Sequence, residues 1–317
     1  MKVVSLVIPC YNEAETIAAL AERLSSSLSE ANEHLSVSFV LIFVDDGSSD
    51  NTFESIRKLD FQWPCRLIVL SRNFGKEPAL TAGIDTAMGD AVILMDADLQ
   101  HPPERISDLI KHWQDGAEVV YFYKRDRKNE GIGKNAGAAL FFQMINFGAR
   151  IKIPPNAGDF RLLDRRALDA LRRMPERERF LKGMYAWIGF NQLGLPLDIP
   201  ERHENGKTRF TFTKLFGLAV DGLTSFSTAP IRLISVFGFV VSIVSVIYLM
   251  WIIGEWFIFG GPFSGFATIV VLVVFFGGAQ LVCLGIIGEY IGKALLEGKQ
   301  RPHYLVRHSF DIPVQDD

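Results

Sequence analysis

Two stretches of this chain contain no Asp, Glu, Lys or Arg: Leu233–Ile253, LISVFGFVVSIVSVIYLMWII, and Phe266–Ile287, FATIVVLVVFFGGAQLVCLGII. At a helical rise of roughly 1.5 Å per residue, each can cross a hydrocarbon layer of about 30 Å. A buried soluble helix is the other explanation for such a run. Two runs parted only by a short Gly/Pro-rich turn argue against it. They predict a two-helix transmembrane hairpin over residues 231–292. Up to about residue 229 the chain instead mixes charged and periodic apolar segments, so a folded domain precedes the hairpin.

Charge orients the hairpin. Glu255 is the only ionisable residue between the two runs, whereas Arg209, Lys214 and Arg232 precede them and Lys293, Lys299, Arg301 and Arg307 follow. By the positive-inside rule both termini and the folded domain face the cytoplasm. The start, MKVVSLVIP, reads as a first strand rather than a signal peptide. Residues 210–230 form a juxtamembrane region in which TFTKLFGLAVDGLTSF is expected to lie amphipathically in the interface, and residues 293–317 read as a cytoplasmic tail. Cys10, Cys65 and Cys283 have neither metal nor disulfide spacing. A net charge of -3 without a basic stripe argues against nucleic acid as a partner.

Within residues 1–209, Val3–Ile8, residues 37–44, Arg66–Ser71, Ala91–Met95 and Val119–Phe122 read as short apolar strands. Helical patterns fall at about Glu13–Leu28, Thr52–Leu59, Lys76–Ala87 and Pro103–Trp113. This alternation predicts an α/β domain with a mostly parallel sheet covered on both faces. Its ligand crevice should lie beyond the carboxyl ends of the strands, where PCYNE, DDGS and DAD all fall. A basic glycine-containing loop, residues 124–135, precedes an apolar helix, AALFFQMINF. The aromatic segment Phe180–Phe190 is too apolar for a solvent loop alone.

The acids carry the chemistry. In VDDGSSDNT, Asp45 and Asp46 directly follow an apolar strand, and Gly47 permits close approach or positive φ. Such carboxylates accept hydrogen bonds from nucleobase N–H or sugar hydroxyl groups, while Ser49 or Asp50 caps the helix that follows. In LMDADLQ the spacing places Asp96 and Asp98 on one face if the strand continues, or turns both toward a divalent ion if it ends. Carboxylates are hard ligands suited to Mg²⁺, which also takes phosphate oxygens and water. A lone Asp-x-Asp is weak evidence; three polar turns at equivalent edges of one sheet are stronger.

The ordered set PCYNE, VDDGSSDNT, SRNFGKEPALTAGIDTAMGD, MDADLQHPPE, NAGDFRLLDR and two C-terminal apolar runs resembles family-2 glycosyltransferases acting on polyprenyl phosphates. It looks most like the bacterial bactoprenol glucosyltransferases of O-antigen glucosylation, with dolichyl-phosphate mannose synthases more distant. The resemblance covers nearly the whole chain. It implies a GT-A nucleotide-sugar-binding domain, Mg²⁺ or Mn²⁺, and inverting transfer of a hexose, first of all glucose from UDP-glucose, to undecaprenyl phosphate. N-acetylhexosamine and modified arabinose donors share the framework. It also implies a bacterial inner-membrane enzyme, homo-oligomerisation, and a downstream flippase and second glycosyltransferase.

Residue by residue, the resemblance places Pro9, Tyr11, Glu13, Asp45 and, less firmly, Asp46 in the nucleotide pocket. Tyr11 has a packed-aromatic alternative and Glu13 a capping one. Asp98 is the main metal ligand, and Asp96 a shared metal or donor contact. Gln100 shapes the acceptor side. Arg161 in GDFRLL is the leading acceptor-phosphate contact, Asp159 orients donor or acceptor, and Arg125, Arg127 and Lys134 are phosphate contacts or solvated surface cations. Lys207 and Arg209 add charge beside the diphosphate from a mobile loop, with Gly206 as its hinge. Two departures stand out. The family's usual arginine three residues before Gly206 is His203 here, with Arg202 adjacent, and His101 stands where relatives commonly have Asp. His101 is expected to be a solvent-facing or Pro102-adjacent turn residue.

Two rivals are a processive polysaccharide synthase and a non-catalytic membrane component. The first lacks its Gln-x-x-Arg-Trp motif and has too few spans for a polymer channel; the second does not explain the intact Asp46, Asp96 and Asp98.

Overall fold

The computed structural model describes residues 1–124, 154, 157–177, 179–197, 229–259 and 265–312. The chain divides into two compact units, one holding every described strand and the other the two long C-terminal helices. The first is an eight-stranded mixed sheet of order β7-β5-β6-β4-β1-β2-β3-β8. Its strands are β1 (Lys2–Cys10), β2 (Val37–Asp45), β3 (Cys65–Leu70), β4 (Ala91–Leu94), β5 (Val119–Lys124), β6 (Ala157–Asp164), β7 (Gln192–Leu197) and β8 (Val306–Ile312). Strands β1 to β4 run parallel, as the sequence predicts. The sheet is mostly parallel, with the exceptions on its flanks, where β6 runs antiparallel to β4 and β5, and β8 antiparallel to β3.

Alternation along the strands feeds two cores. Val4, Leu6 and Ile8 of β1 face one cluster, together with Ile17, Leu20, Leu24 and Leu28 of α1 (Ile17–Leu35) and Ile106, Leu109 and Ile110 of α4 (Ile106–Gln114). Val7 faces the other, with α3 (Lys76–Thr86), α5 (Arg165–Arg172) and α6 (Leu181–Trp187). Helix α3 lies close on the sheet because residue 83 is glycine; a Cβ there would meet Val7 Cγ1 at 2.2 Å. A short α2 (Thr52–Arg57) completes the covering, entered through Asp50, whose Oδ1 accepts from the Thr52 N–H at 3.0 Å.

Several boundaries move. Helix α1 starts at Ile17, not Glu13, because Glu13 to Thr16 form a turn in which the Thr16 hydroxyl donates to the Glu13 carbonyl at 3.0 Å. Pro103–Arg105 is a 3-10 turn ahead of α4. The segment read as a tail supplies β8, since Phe310 and Ile312, two apart, pack on the core while Arg66 and Asp311 pair across the edge at 2.7 Å.

In the second unit, the two uncharged runs lie in α7 (Ala229–Phe259) and α8 (Phe266–Gly298). Among the described residues, one segment, Phe275–Gly298, is long and apolar enough to cross a membrane by length and composition. The basic loop, the apolar helix after it and the amphipathic segment lie outside the described residues, as do Arg125, Arg127, Lys134, Arg202, His203, Gly206, Lys207 and Arg209.

Candidate active site

The strand order reverses between β1 and β4: from β1 the chain builds outward through β2 and β3, then returns to lay β4 on β1's other side. Doubly wound sheets open a crevice at such a switch point, outside the carboxyl ends of the strands. Pairing of β1 with β4 stops at Val7 and Leu94, so Pro9 and Cys10, still paired to β2, and then Tyr11 run on past the end of β4. A cleft of about 270 Å³ opens there, lined by residues that include Pro9, Tyr11, Glu13, Lys76, Asp96 and Asp98.

Tyr11 is 47% exposed, which rules out the packed-aromatic alternative and leaves its ring facing the cleft. The Glu13 carboxylate accepts from the Thr16 hydroxyl at 2.8 Å. Burial, reinforced by nearby Asp98, Asp50 and Asp96, holds that carboxyl above its ordinary pKa against the pull of Thr16. Cys10 also lines the cleft, but burial, with Asp45, Glu13 and Asp96 around it, pushes the thiol well above its usual range. A thiol held protonated in this way is a poor nucleophile.

The first acid pair is turned inward. Asp45 Oδ1 accepts from the Ser48 N–H at 2.9 Å, while Asp46 takes the N–H groups of Phe74 and Gly75, both at 2.8 Å, on its two oxygens. Asp46 thus ties the loop after β3 to the end of β2. Gly47 is required between these loops, since φ is +67° and a Cβ would lie 2.5 Å from the Arg72 carbonyl carbon.

The second pair faces the cleft. After Leu94 the strand ends, so the turn reading holds for Asp96 and Asp98, and Leu99 adopts φ +61°. An apolar residue in the left-handed region is strained, and such strain gathers at functional sites. Leu99 packs against the core, which offsets it. Asp98 Oδ1 accepts from the Gln100 N–H at 3.1 Å. His101 is 8% exposed and stacks on Phe160 with ring centroids 5.1 Å apart. Its Nδ1 accepts from the Asp96 N–H at 2.9 Å, so the ring is neutral with its proton on Nε2. Burial also lowers its pKa. This corrects the solvent-facing expectation: His101 is a buried acceptor that stacks as well as bonds.

Lys76 escaped the sequence reading. Its ammonium lies 2.7 Å from Asp96 Oδ2 and 2.7 Å from Asp159 Oδ2. Burial works against that charge, but Asp159 and Asp96 outweigh it and hold the lysine pKa above its ordinary value. Burial likewise opposes the Asp159 carboxylate, and Lys76 and Lys182 overcome it and hold its pKa low. A signal existed: Lys76 is the first residue of α3, where a helix disfavours a cation.

Arg161 is placed differently from its expectation. Two positions after Asp159, it shares that residue's face of β6, yet it is 2% exposed and lies behind the cleft lining. Its guanidinium carbon sits 3.7 Å from the Tyr185 ring centroid, and Nη2 donates to the Gly158 carbonyl at 2.6 Å. Its Nε, like the Tyr185 hydroxyl, has no hydrogen-bond partner among the described residues.

The family model described as Glycosyl transferase family 2 matches residues 5–172, the span that builds strands β1 to β6 and the cleft. The chain belongs to glycosyl transferase family 2. An uncharacterized glycosyltransferase of Synechocystis is 42% identical over 303 residues, 95% of this chain and 94% of the relative. The bactoprenol glucosyl transferase of Shigella phage SfV is 38% identical over 306 residues, 96% of this chain and 98% of the relative. Among solved structures, mannosyl-3-phosphoglycerate synthase from Rubrobacter xylanophilus is similar at a TM-score of 0.47 and 16% identity, over 73% of this chain and 74% of that one.

For this family 2 transferase, with its α/β, GT-A-like domain, the donor set can be tested against a divalent ion. Among the described residues no three His, Cys, Asp or Glu side chains converge on one point. A closed protein cage is therefore not the fit. Two carboxylates on one turn, with an ammonium already drawn to Asp96, do fit an ion that takes its remaining ligands from phosphate and water.

Proposed function

We propose that this transferase moves glucose from UDP-glucose to undecaprenyl phosphate, releasing UDP and forming a β-linked lipid-phosphate sugar. The observation that carries the reading is the switch-point cleft with Asp96 and Asp98 at its β4 rim. Relatives of nearly equal length named bactoprenol glucosyl transferase supply the acceptor class and the sugar.

Tyr11 offers a ring face to the base, Glu13 a carboxylate at the same wall, and the turn built by Asp45 and Asp46 shapes the pocket floor. Asp98, with Asp96, holds Mg²⁺ or Mn²⁺, which neutralises the departing diphosphate and acts as a Lewis acid when bound. Asp159 positions cationic groups beside the reacting centre. The acceptor phosphate is already anionic, so its oxygen attacks the anomeric carbon without a strong base. One bond forms from phosphate oxygen to that carbon as the bond to the β-phosphate oxygen breaks, and UDP leaves with the electron pair. Attack from the opposite face turns an α-linked donor into a β product.

Gln100, Arg125, Arg127 and Lys134 belong to the acceptor side in this reading, and Lys207 and Arg209 to the diphosphate loop. Arg161 supports the acceptor side from behind through Tyr185. Helices α7 and α8 both span the inner membrane, because each contains one of the uncharged runs, and the basic flanks keep the catalytic domain and both ends cytoplasmic. The test incubates purified enzyme and undecaprenyl phosphate with UDP-glucose, UDP-N-acetylhexosamines and a modified-arabinose donor, and weighs the lipid product. A hexosyl-phospholipid from UDP-glucose is expected. Product from another donor alone overturns the sugar assignment, and no product from any donor overturns the transfer.

A further inference from the structure

We propose that Lys76 is a positioning residue that reserves the divalent-ion site: in the donor-free transferase its ammonium bridges Asp96 and Asp159, and it yields Asp96 when the nucleotide-bound ion arrives. The inference rests on the reading that Asp96 and Asp98 take that ion. Asp96 leaves the end of β4 and Asp159 lies on β6, adjacent strands of the sheet, and Lys76 Nζ meets both at 2.7 Å. The neighbouring His101 is neutral, since its Nδ1 accepts a hydrogen bond from the Asp96 N–H, so it does not share the work of offsetting these acids.

Removing the ammonium leaves Asp96, Asp98 and Asp159 to repel one another around one rim. The lysine also stands at the helix end least suited to a cation, so its place is set by the carboxylates and not by α3. An ammonium on a four-carbon stem, 44% exposed, can leave one carboxylate by rotamer change without moving the backbone. A doubly charged ion on Asp96 attracts that oxygen more strongly than a single charge at the same distance. Lys76 then stays paired with Asp159 at the cleft wall, where it adds positive charge toward the diphosphate.

The full chain in detergent is titrated with Mn²⁺, free ion being read by electron paramagnetic resonance, with and without UDP. Without UDP, Lys76→Met and Lys76→Gln should bind Mn²⁺ at least about tenfold more tightly than wild type, the scale of losing one adjacent cation. Lys76→Arg keeps the charge and should stay within about threefold of wild type. Equal or weaker binding by the neutral variant that folds overturns the proposal, and so does a gain in Lys76→Arg as large as in the neutral variants. Wild type that binds no Mn²⁺ even with UDP overturns the ion reading itself. Binding with UDP but no gain in the neutral variants overturns only the role of Lys76.

Discussion

Two acid pairs, Asp45–Asp46 and Asp96–Asp98, leave β2 and β4, the parallel strands on either side of β1, at the same edge of the sheet, yet they do different work. Asp45 and Asp46 are 2% and 3% exposed and spend their oxygens on main-chain N–H groups of the Ser48 turn and the Phe74–Gly75 loop. Asp96 and Asp98 line the cleft, as Asp46 does, but Asp96 is met by the Lys76 ammonium. What separates the pairs is the supply of N–H groups. The loop after β3 donates one N–H to each Asp46 oxygen, whereas β4 stops after four residues while β1 runs on beside it. The first pair is spent on the loops that build the wall, and the second sets Asp96 against a cation.

The strongest way to break that contrast is to remove one acid of each pair. Asp98→Ala should lower turnover by about 10²- to 10³-fold, the scale of deleting one preorganised electrostatic contact, while thermal unfolding stays near wild type. Normal turnover would reject the metal assignment. Asp46→Ala should do the reverse in emphasis, costing about 1–3 kcal/mol of stability because the Phe74 and Gly75 N–H groups lose their acceptors. Unfolding of Asp46→Ala at the wild-type temperature would place Asp46 with the reacting acids instead.

How far the sequence discloses this contrast depends on the range of each interaction. Strands β1 to β4 are legible because buried parallel strands read as continuous apolar runs. Strand β6 is not, since AGDFRLLD mixes Asp159 and Arg161 into its length, and β8 lies beyond both apolar helices, far from its partner. Asp96 and Asp98 are legible from their place after an apolar run. Lys76 shows in sequence only as a cation at the start of a helix; its carboxylates sit 20 and 83 residues away, and only the fold brings them to it. Arg161 reads as an acceptor-phosphate contact in an apolar segment, but strand pairing on both sides of β6 encloses it, with its guanidinium over the Tyr121 and Tyr185 rings.

Glu77 sharpens the comparison with the smallest effect, as an acid of the wall beside the cation of the rim. Burial pushes its carboxyl up to about 7, and Asp159 adds to that, against the Leu181 N–H bond and the charges of Lys182 and Lys76. The sign follows from proton linkage. A folded pKa of about 7 against an ordinary 4.5 means the native state holds this proton more tightly. Its stabilising contribution is therefore full below the lower value and is lost as pH rises through the higher one. Glu77→Gln is neutral at every pH and keeps an oxygen to accept from Leu181. The melting temperature of the variant minus that of wild type should therefore grow steadily between about pH 5 and pH 8. A flat difference across that window would put Glu77 with the ionised acids, and the rule that wall acids resist ionisation would then rest on Asp46 and Glu13, whose pKa burial also raises.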